Sequence, residues 1–252
     1  MIFQLHYKMN KHNAKLITKI GDSLYHWMNY LSDVERVNVI RESAVDYAIS
    51  EVLEISKHSN SKGGKVLKRL PIISRYKFRF PHPFLQKRSI DLRAIANIPK
   101  GNELYSEFKY VNRDVFNPAG DECQRYFDDL FRLLFVQKFL GAKTLSLFIV
   151  AGKQADFRER FKQEDQKRNA TGTFANFLSF DENNRDKSND LTQFLSPPPY
   201  GIDYFKVFEG KYTVKDPSKR LIATDLLHTH LAFIKQDLGD GVFVAVWEIE
   251  FK

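Results

Sequence analysis

An uninterrupted apolar run from Thr144 to Ala151 follows directly on a helical pattern, and this pairing constrains the fold most strongly. The helical pattern covers 118–140: it begins at Asn117-Pro118, carries apolar residues at helical spacing and stops at Gly141. A continuous apolar strand after a helix is typical of a strand buried on both faces that is reached through a crossover. The pattern therefore predicts an α/β protein with a mixed central sheet flanked by helices.

The preceding residues predict the rest of this core. Ser32 and Glu35 have the spacing of a capping box, which predicts the start of a long amphipathic helix. Three segments then alternate or are rich in β-branched and aromatic residues, as strands are, and a turn at Pro99 joins the last two. The predicted order is a helix at 34–56, strands at 72–80, 88–98 and 103–111, a helix at 118–140 and a strand at 144–151.

The chain of 252 residues divides into four parts on this pattern. Residues 1–33 form an N-terminal helical extension, and residues 34–152 form the core. The polar stretch 153–200 predicts a mobile insertion. Residues 201–252 predict additional strands that pack on the core, at Tyr204–Phe208, Leu231–Lys235 and Val242–Phe251.

Composition limits the partners and the compartment. The chain carries a net charge of +8. Residues 57–109 contain thirteen basic and three acidic side chains, and this excess of positive charge favours a polyanionic partner. The single cysteine, Cys123, excludes an intrachain disulfide and a cysteine-based zinc site. No apolar stretch approaches the length of about 20 residues that a membrane helix needs. We expect a cytoplasmic protein without a membrane partner.

The candidate chemistry lies in the hairpin that joins the second and third strands. Side chains alternate along a strand, so Glu107 and Lys109 share one face while Phe108 points into the core. Folding around Pro99 brings Asp91 towards Glu107. Two neighbouring carboxylates favour a hard divalent cation between them, and a lysine beside them can orient water or offset developing negative charge. This is the chemistry of phosphodiester hydrolysis.

The element order together with Asp91 and Glu107-Phe108-Lys109 resembles the PD-(D/E)XK, or restriction-endonuclease-like, superfamily, whose core is αβββαβ. Ile90 replaces the proline of the motif's name. The resemblance implies that Asp91, Glu107 and the carbonyl of Phe108 bind Mg²⁺ (or Mn²⁺), and that Lys109 activates water. It implies one further carboxylate from the first helix, either Glu42 or Glu51. The implied activity is hydrolysis of DNA, which we expect in preference to RNA, and a two-fold dimer would suit the cutting of both strands.

The basic charge around this hairpin predicts a nucleic-acid-binding surface. Its candidate residues are Lys65, Lys68, Arg69, Arg75, Lys77, Lys87 and Arg88. Interleaved aromatic residues, among them Tyr76, Phe78 and Phe80, could stack on bases, but strand aromatics are expected in the core.

Two other functional classes remain open. Ion pairs on an exposed hairpin would give the same residue pattern without chemistry. The protein would then be a non-catalytic nucleic-acid-binding module, or a structural and interaction protein. The tripeptide Glu250-Phe251-Lys252 repeats the motif at the C-terminus without an acidic partner strand. His228 and His230 could face a metal together, although a structural or surface role is the expected one because no third ligand is evident.

Overall fold

The computed structural model describes residues 11–33, 42–58, 72–98, 101–111, 120–141, 144–156, 177–194, 202–237 and 241–252. The main elements, in chain order, are α1 (Lys11–Asp33), α2 (Glu42–His58), β1 (Ile72–Pro81), β2 (Ser89–Ile98), β3 (Gly101–Val111), α3 (Gly120–Leu140), β4 (Thr144–Lys153), β5 (Asp186–Asp190), α4 (Tyr204–Lys211), β6 (Leu226–Gln236) and β7 (Val242–Phe251).

The seven strands of the described segments form one mixed sheet in the order β1-β2-β3-β4-β7-β6-β5. The β3–β4 pair is parallel, and the other neighbouring pairs are antiparallel. Helix α3 connects the two parallel strands, as the crossover requires. The predicted α/β architecture, a mixed sheet flanked by helices, is confirmed.

Helices cover both faces of the sheet and create two apolar cores. Helices α1 and α2 pack on one face, and α3 and α4 pack on the other. Strand β4 contributes to both cores, because Leu147 and Ile149 point towards α1 and α2 while Phe148 and Val150 point towards α3. This alternation of fully buried side chains explains why the sequence of β4 is apolar throughout.

Glycines fix two features of this packing. Gly141 ends α3 with a φ of +65°, a left-handed conformation that glycine adopts without steric cost, as the sequence predicted. Gly21 lies inside α1 against the ring of Phe233, where a Cβ would collide with the ring. Helix α1 runs through Gly21 without a break, and the missing side chain lets it approach β6 closely.

The strand predicted at Tyr204–Phe208 is wrong, because this segment is the first part of helix α4. Asp203 caps the helix: its side chain accepts a hydrogen bond from the backbone N–H of Lys206 at 3.0 Å. Tyr204, Phe205 and Phe208 are buried at helical spacing. A short aromatic segment satisfies strand and helix periodicities equally, and the cap together with packing on α3 selects the helix.

The region predicted as a polar insertion contributes to the core in its described part. Within 177–194 the chain buries the side chains of Phe177, Leu178, Leu191 and Phe194 and forms edge strand β5 on β6. Residues 157–176 and 195–201 lie outside the described part of the chain, as do residues 34–41 of the predicted long helix. Among the described helices, none is both long and apolar enough to cross a bilayer.

Candidate functional site

The β2–β3 hairpin places Asp91 beside Glu107 at the point where the two strands separate. The ladder pairs Leu92 with Ser106, and beyond this pair no backbone pairing joins β2 to β3. The carboxylate of Asp91 takes the place of the missing strand partner, since its Oδ2 accepts a hydrogen bond from the backbone N–H of Phe108 at 2.8 Å. Asp91 is thereby fixed against β3, on the face of the sheet that α3 covers.

Glu107 is fully buried in this gap. Burial raises the pKa of Glu107 well above its ordinary value; Arg132 opposes the rise, and the neighbouring carboxylates of Asp129 and Asp91 add to it. The alternative of an ordinary exposed hairpin face therefore does not apply to Glu107, because no part of this side chain reaches solvent.

Helix α3 supplies the charges that face β3. Lys109 Nζ lies 2.6 Å from Asp129 Oδ2, and Arg132 Nε lies 2.8 Å from Glu107 Oε1. Arg132 also pairs with the second oxygen of Asp129. Burial lowers the pKa of Arg132, but Asp129 and Glu107 raise it by more, so the guanidinium stays charged. The site thus contains three carboxylates and two cations in contact.

Of the two carboxylates predicted from the first core helix, Glu42 and Glu51, the structure describes only the side chain of Glu51. Helix α2 packs on the opposite face of the sheet, together with Phe108. Glu51 is exposed and pairs with the Tyr47 hydroxyl, so it does not join the site and that alternative is wrong. The side chain of Glu42 lies outside the described residues. Among the described side chains, Asp129 of α3 is the helix carboxylate that contacts the site, and the sequence pattern did not single it out.

Of the predicted nucleic-acid-binding residues, Lys65, Lys68 and Arg69 lie outside the described part of the chain. The other four are exposed: Arg75, Lys77, Lys87 and Arg88. Arg75 and Lys77 line a cavity of about 310 Å³ on the β1–β2 surface, together with Phe80 and Arg93. The guanidinium of Arg93 lies 4.5 Å from the centre of the Phe80 ring. Tyr76 and Phe78 pack against the α1–α2 core, as predicted for strand aromatics.

His82, in the connection between β1 and β2, is hydrogen-bonded to the backbone of α3 at Arg132, a residue of the site. Its Nδ1 accepts hydrogen bonds from the backbone N–H groups of Phe84 and Leu85, both at 3.0 Å. Because Nδ1 is the acceptor, Nε2 carries the proton and donates to the carbonyl of Arg132 at 3.2 Å. Burial lowers the pKa of His82 from 6.5 to about 3. The neutral imidazole is therefore part of the support for Arg132.

We expect His82 to make the fold sensitive to mild acid. Between pH 7.5 and pH 5 the unfolded chain protonates this histidine while the folded chain does not, so stability falls as the pH falls through 6.5. The expected contribution is about 2 kcal/mol at pH 5. His82→Asn retains a side-chain acceptor for the two N–H groups but does not titrate. Urea unfolding at both pH values should show a smaller pH dependence for the variant, and an equal dependence would refute this role.

The histidine pair of β6 has a carboxylate partner on β5. Asp186 Oδ1 lies 3.3 Å from His228 Nε2 and 2.9 Å from His230 Nδ1. Burial lowers the pKa of His228 from 6.5 to about 4, so this imidazole is neutral at physiological pH. Across the described residues, no group of three or more His, Cys, Asp or Glu side chains is arranged to hold a metal ion. Through Asp186, the histidine pair links edge strand β5 to β6.

Comparisons with protein-family models, with curated proteins and with solved structures found no match to this chain.

Proposed function

We propose that the protein is a metal-dependent nuclease of the PD-(D/E)XK type that hydrolyses phosphodiester bonds in DNA. The observation that carries the proposal is the position of Asp91, which accepts a hydrogen bond from the N–H of Phe108 next to the fully buried Glu107, with Lys109 on the same face of β3 as Glu107. The order α2-β1-β2-β3-α3-β4 supports it, because it places these residues on the second and third strands of an αβββαβ arrangement.

The residues at the gap between β2 and β3 suit a hard divalent cation. The fully buried carboxylate of Glu107 and the partly buried carboxylate of Asp91 repel each other when both are charged, unless a proton or a cation lies between them. The N–H and C=O of one strand residue point to the same neighbouring strand, so the Phe108 carbonyl faces the side on which Asp91 lies. Asp91, Glu107 and this carbonyl would therefore be the protein ligands.

Each charged group of the site would then have a defined role in hydrolysis. Bound Mg²⁺ would lower the pKa of a water molecule and offset negative charge on the phosphate. Lys109 would orient the attacking water and stabilise the charge that develops on the phosphoryl oxygens. A new P–O bond forms to the water oxygen, and one of the two P–O ester bonds of the phosphodiester breaks. The proton of the water passes to the oxygen that leaves. Arg132 keeps Glu107 aligned throughout, since it is buried and ion-paired.

The exposed cations of β1 suit the phosphates that flank the scissile bond. Arg75 and Lys77 lie on the strand that neighbours β2, and Arg93 of β2 lies opposite Lys77 in the ladder. Arg93 is held by Glu103 at 2.5 Å and lies on the face of the sheet that carries Asp91. A nucleic-acid backbone can therefore cross β1 and β2 on its way to the site.

We expect the double variant Arg75→Ala/Lys77→Ala to bind DNA more weakly at every sequence tested. Removing two phosphate contacts should reduce the slope of log K against log salt concentration by about 2. The matched control is Lys15→Ala/Lys19→Ala, which removes two exposed cations from α1 on the opposite face of the sheet. Binding isotherms at several salt concentrations measure the slope, and an equal reduction in both double variants would contradict the assigned path.

The test of the proposed activity is cleavage of single- and double-stranded DNA by the full chain with Mg²⁺ or Mn²⁺ and with a chelator. We expect cleavage that requires the metal, that Asp91→Asn abolishes and that Glu250→Gln preserves. Glu250 belongs to the second Glu-Phe-Lys tripeptide and serves as the matched control. A wild-type protein that cuts no DNA with any divalent cation would refute the activity.

A second candidate function is a non-catalytic nucleic-acid-binding module. The observation that favours it is the mutual compensation of charge at the site, where Lys109 and Arg132 already neutralise Asp129 and Glu107. This candidate predicts salt-sensitive DNA binding without turnover, unchanged by Asp91→Asn.

A further inference from the structure

Two adjacent aspartates of α3 have different partners, although both are 2% exposed. Asp128 faces α4, where it accepts hydrogen bonds from Lys211 Nζ and the Tyr212 hydroxyl, each at 2.6 Å. Asp129 faces β3, where its Oδ2 lies 2.6 Å from Lys109 Nζ. Successive helix positions differ by about 100° in direction, which explains the division.

Both oxygens of Asp129 are already in use. Oδ2 pairs with Lys109, and Oδ1 accepts a hydrogen bond from Arg132 one helical turn later. A cation at Asp129 would therefore have to displace Lys109 or Arg132 from a buried carboxylate. The arrangement suits a carboxylate that holds two basic side chains better than one that ligates a metal.

A lysine at this position needs an ion-pair partner to keep its ammonium group in one place. Its side chain has four rotatable bonds and about 2 kcal/mol of rotamer entropy, so an unheld ammonium samples many positions. Lys109 is only 17% exposed, and the Asp129 contact keeps its Nζ on the face of β3 that carries Glu107. Displacing a catalytic group by about 1 Å can cost roughly 100-fold in rate.

We propose that Asp129 is the positioning residue for Lys109: it holds the ammonium group beside Glu107 and does not itself ligate the metal. The effect on turnover rests on the proposed nuclease function, whereas the effect on Lys109 does not. The helix carboxylate that the resemblance implies, Glu42 or Glu51, lies on α2 and would ligate the metal; Asp129 differs from it both in position and in role.

The experiment compares Asp129→Asn with Asp128→Asn, a neighbouring variant of equal burial that leaves the Lys109 contact intact. For Asp129→Asn we expect kcat to fall by about 10- to 100-fold with little change in KM or in Mn²⁺ affinity. Amine-selective labelling followed by mass spectrometry should show Lys109 modified several-fold faster, because the side chain is released towards solvent. Asp128→Asn should leave kcat and Lys109 labelling unchanged, whatever its effect on thermal stability.

A double variant separates positioning from general destabilisation. If Asp129 acts through Lys109, Asp129→Asn should have little further effect on kcat in a Lys109→Met background. Asp129→Glu keeps the charge and should protect Lys109 from labelling; it provides the comparison if Asp129→Asn does not fold.

Three results would overturn the proposal. A loss of Mn²⁺ affinity in Asp129→Asn would make Asp129 a ligand. Unchanged labelling of Lys109 in Asp129→Asn, or an equal loss of kcat in Asp128→Asn, would show that Asp129 does not position the lysine. If the wild-type protein cuts no DNA, the nuclease function fails, but labelling of Lys109 still decides whether Asp129 holds it.

Discussion

Replacing Lys109 with alanine should lower the rate of metal-dependent DNA cleavage by about 10²- to 10³-fold. The ammonium group is the one cation of the site that shares a strand face with Glu107, and it lies two residues from that proposed ligand. Without it, neither the attacking water nor the developing phosphoryl charge has a positively charged partner on β3. Single-turnover cleavage with saturating Mg²⁺ measures the chemical step directly.

Controls for Lys109→Ala come from the chain itself. Lys252→Ala alters the equivalent lysine of the second Glu-Phe-Lys tripeptide, which is exposed, and should leave the cleavage rate unchanged. Mn²⁺ affinity should be retained in Lys109→Ala, because the lysine is not a ligand. Removing Lys109 leaves Asp129 with Arg132 alone, so unfolding curves should accompany the kinetics. A Lys109→Ala protein that cleaves as fast as the wild type would remove the lysine from the mechanism.

Replacing Glu107 with glutamine should lower the cleavage rate by about 10³-fold. The same change should remove the stabilisation that bound metal gives to the folded state. When Mg²⁺ is present at ten times its dissociation constant, a ligand bound only by the folded state stabilises it by about 1.4 kcal/mol. That increment should appear for the wild type and vanish for Glu107→Gln. Without metal, the variant should be at least as stable as the wild type, because a neutral amide avoids burying a charge among carboxylates.

The matched control for Glu107→Gln is Glu103→Gln on the same strand. Glu103 pairs with Arg93 and with the hydroxyl of Tyr105, away from Asp91. Its replacement should preserve both cleavage and the metal-induced stabilisation. If Glu107→Gln retained the stabilisation that Mg²⁺ gives the wild type, the ion would have to bind elsewhere.

The sequence predicts the sheet core well because its signals are local. The apolar run of β4, the alternation in β2 and the glycine at the end of α3 each report burial or backbone conformation at their own positions. The proximity of Asp91 to Glu107 also follows from local rules, since a hairpin turn and the strand period fix which side chains share a face.

The remaining features depend on contacts between residues far apart in the sequence. Strand β5 has the polar sequence Asp-Lys-Ser-Asn-Asp and is a strand only because β6 offers it an edge. Asp129 and Arg132 look like ordinary polar residues of an amphipathic helix until packing brings α3 onto β3. The cap at Asp203 was a local signal for α4 that the aromatic content of Tyr204–Phe208 concealed.

Equilibrium binding of Mn²⁺, followed by electron paramagnetic resonance, tests most directly whether the gap between β2 and β3 holds a divalent cation. The account predicts one bound ion per chain in the wild type and an affinity at least about tenfold lower in Asp91→Asn, since one charged ligand is lost. Equal affinity in the two proteins, or no binding to the wild type at millimolar Mn²⁺, would contradict it.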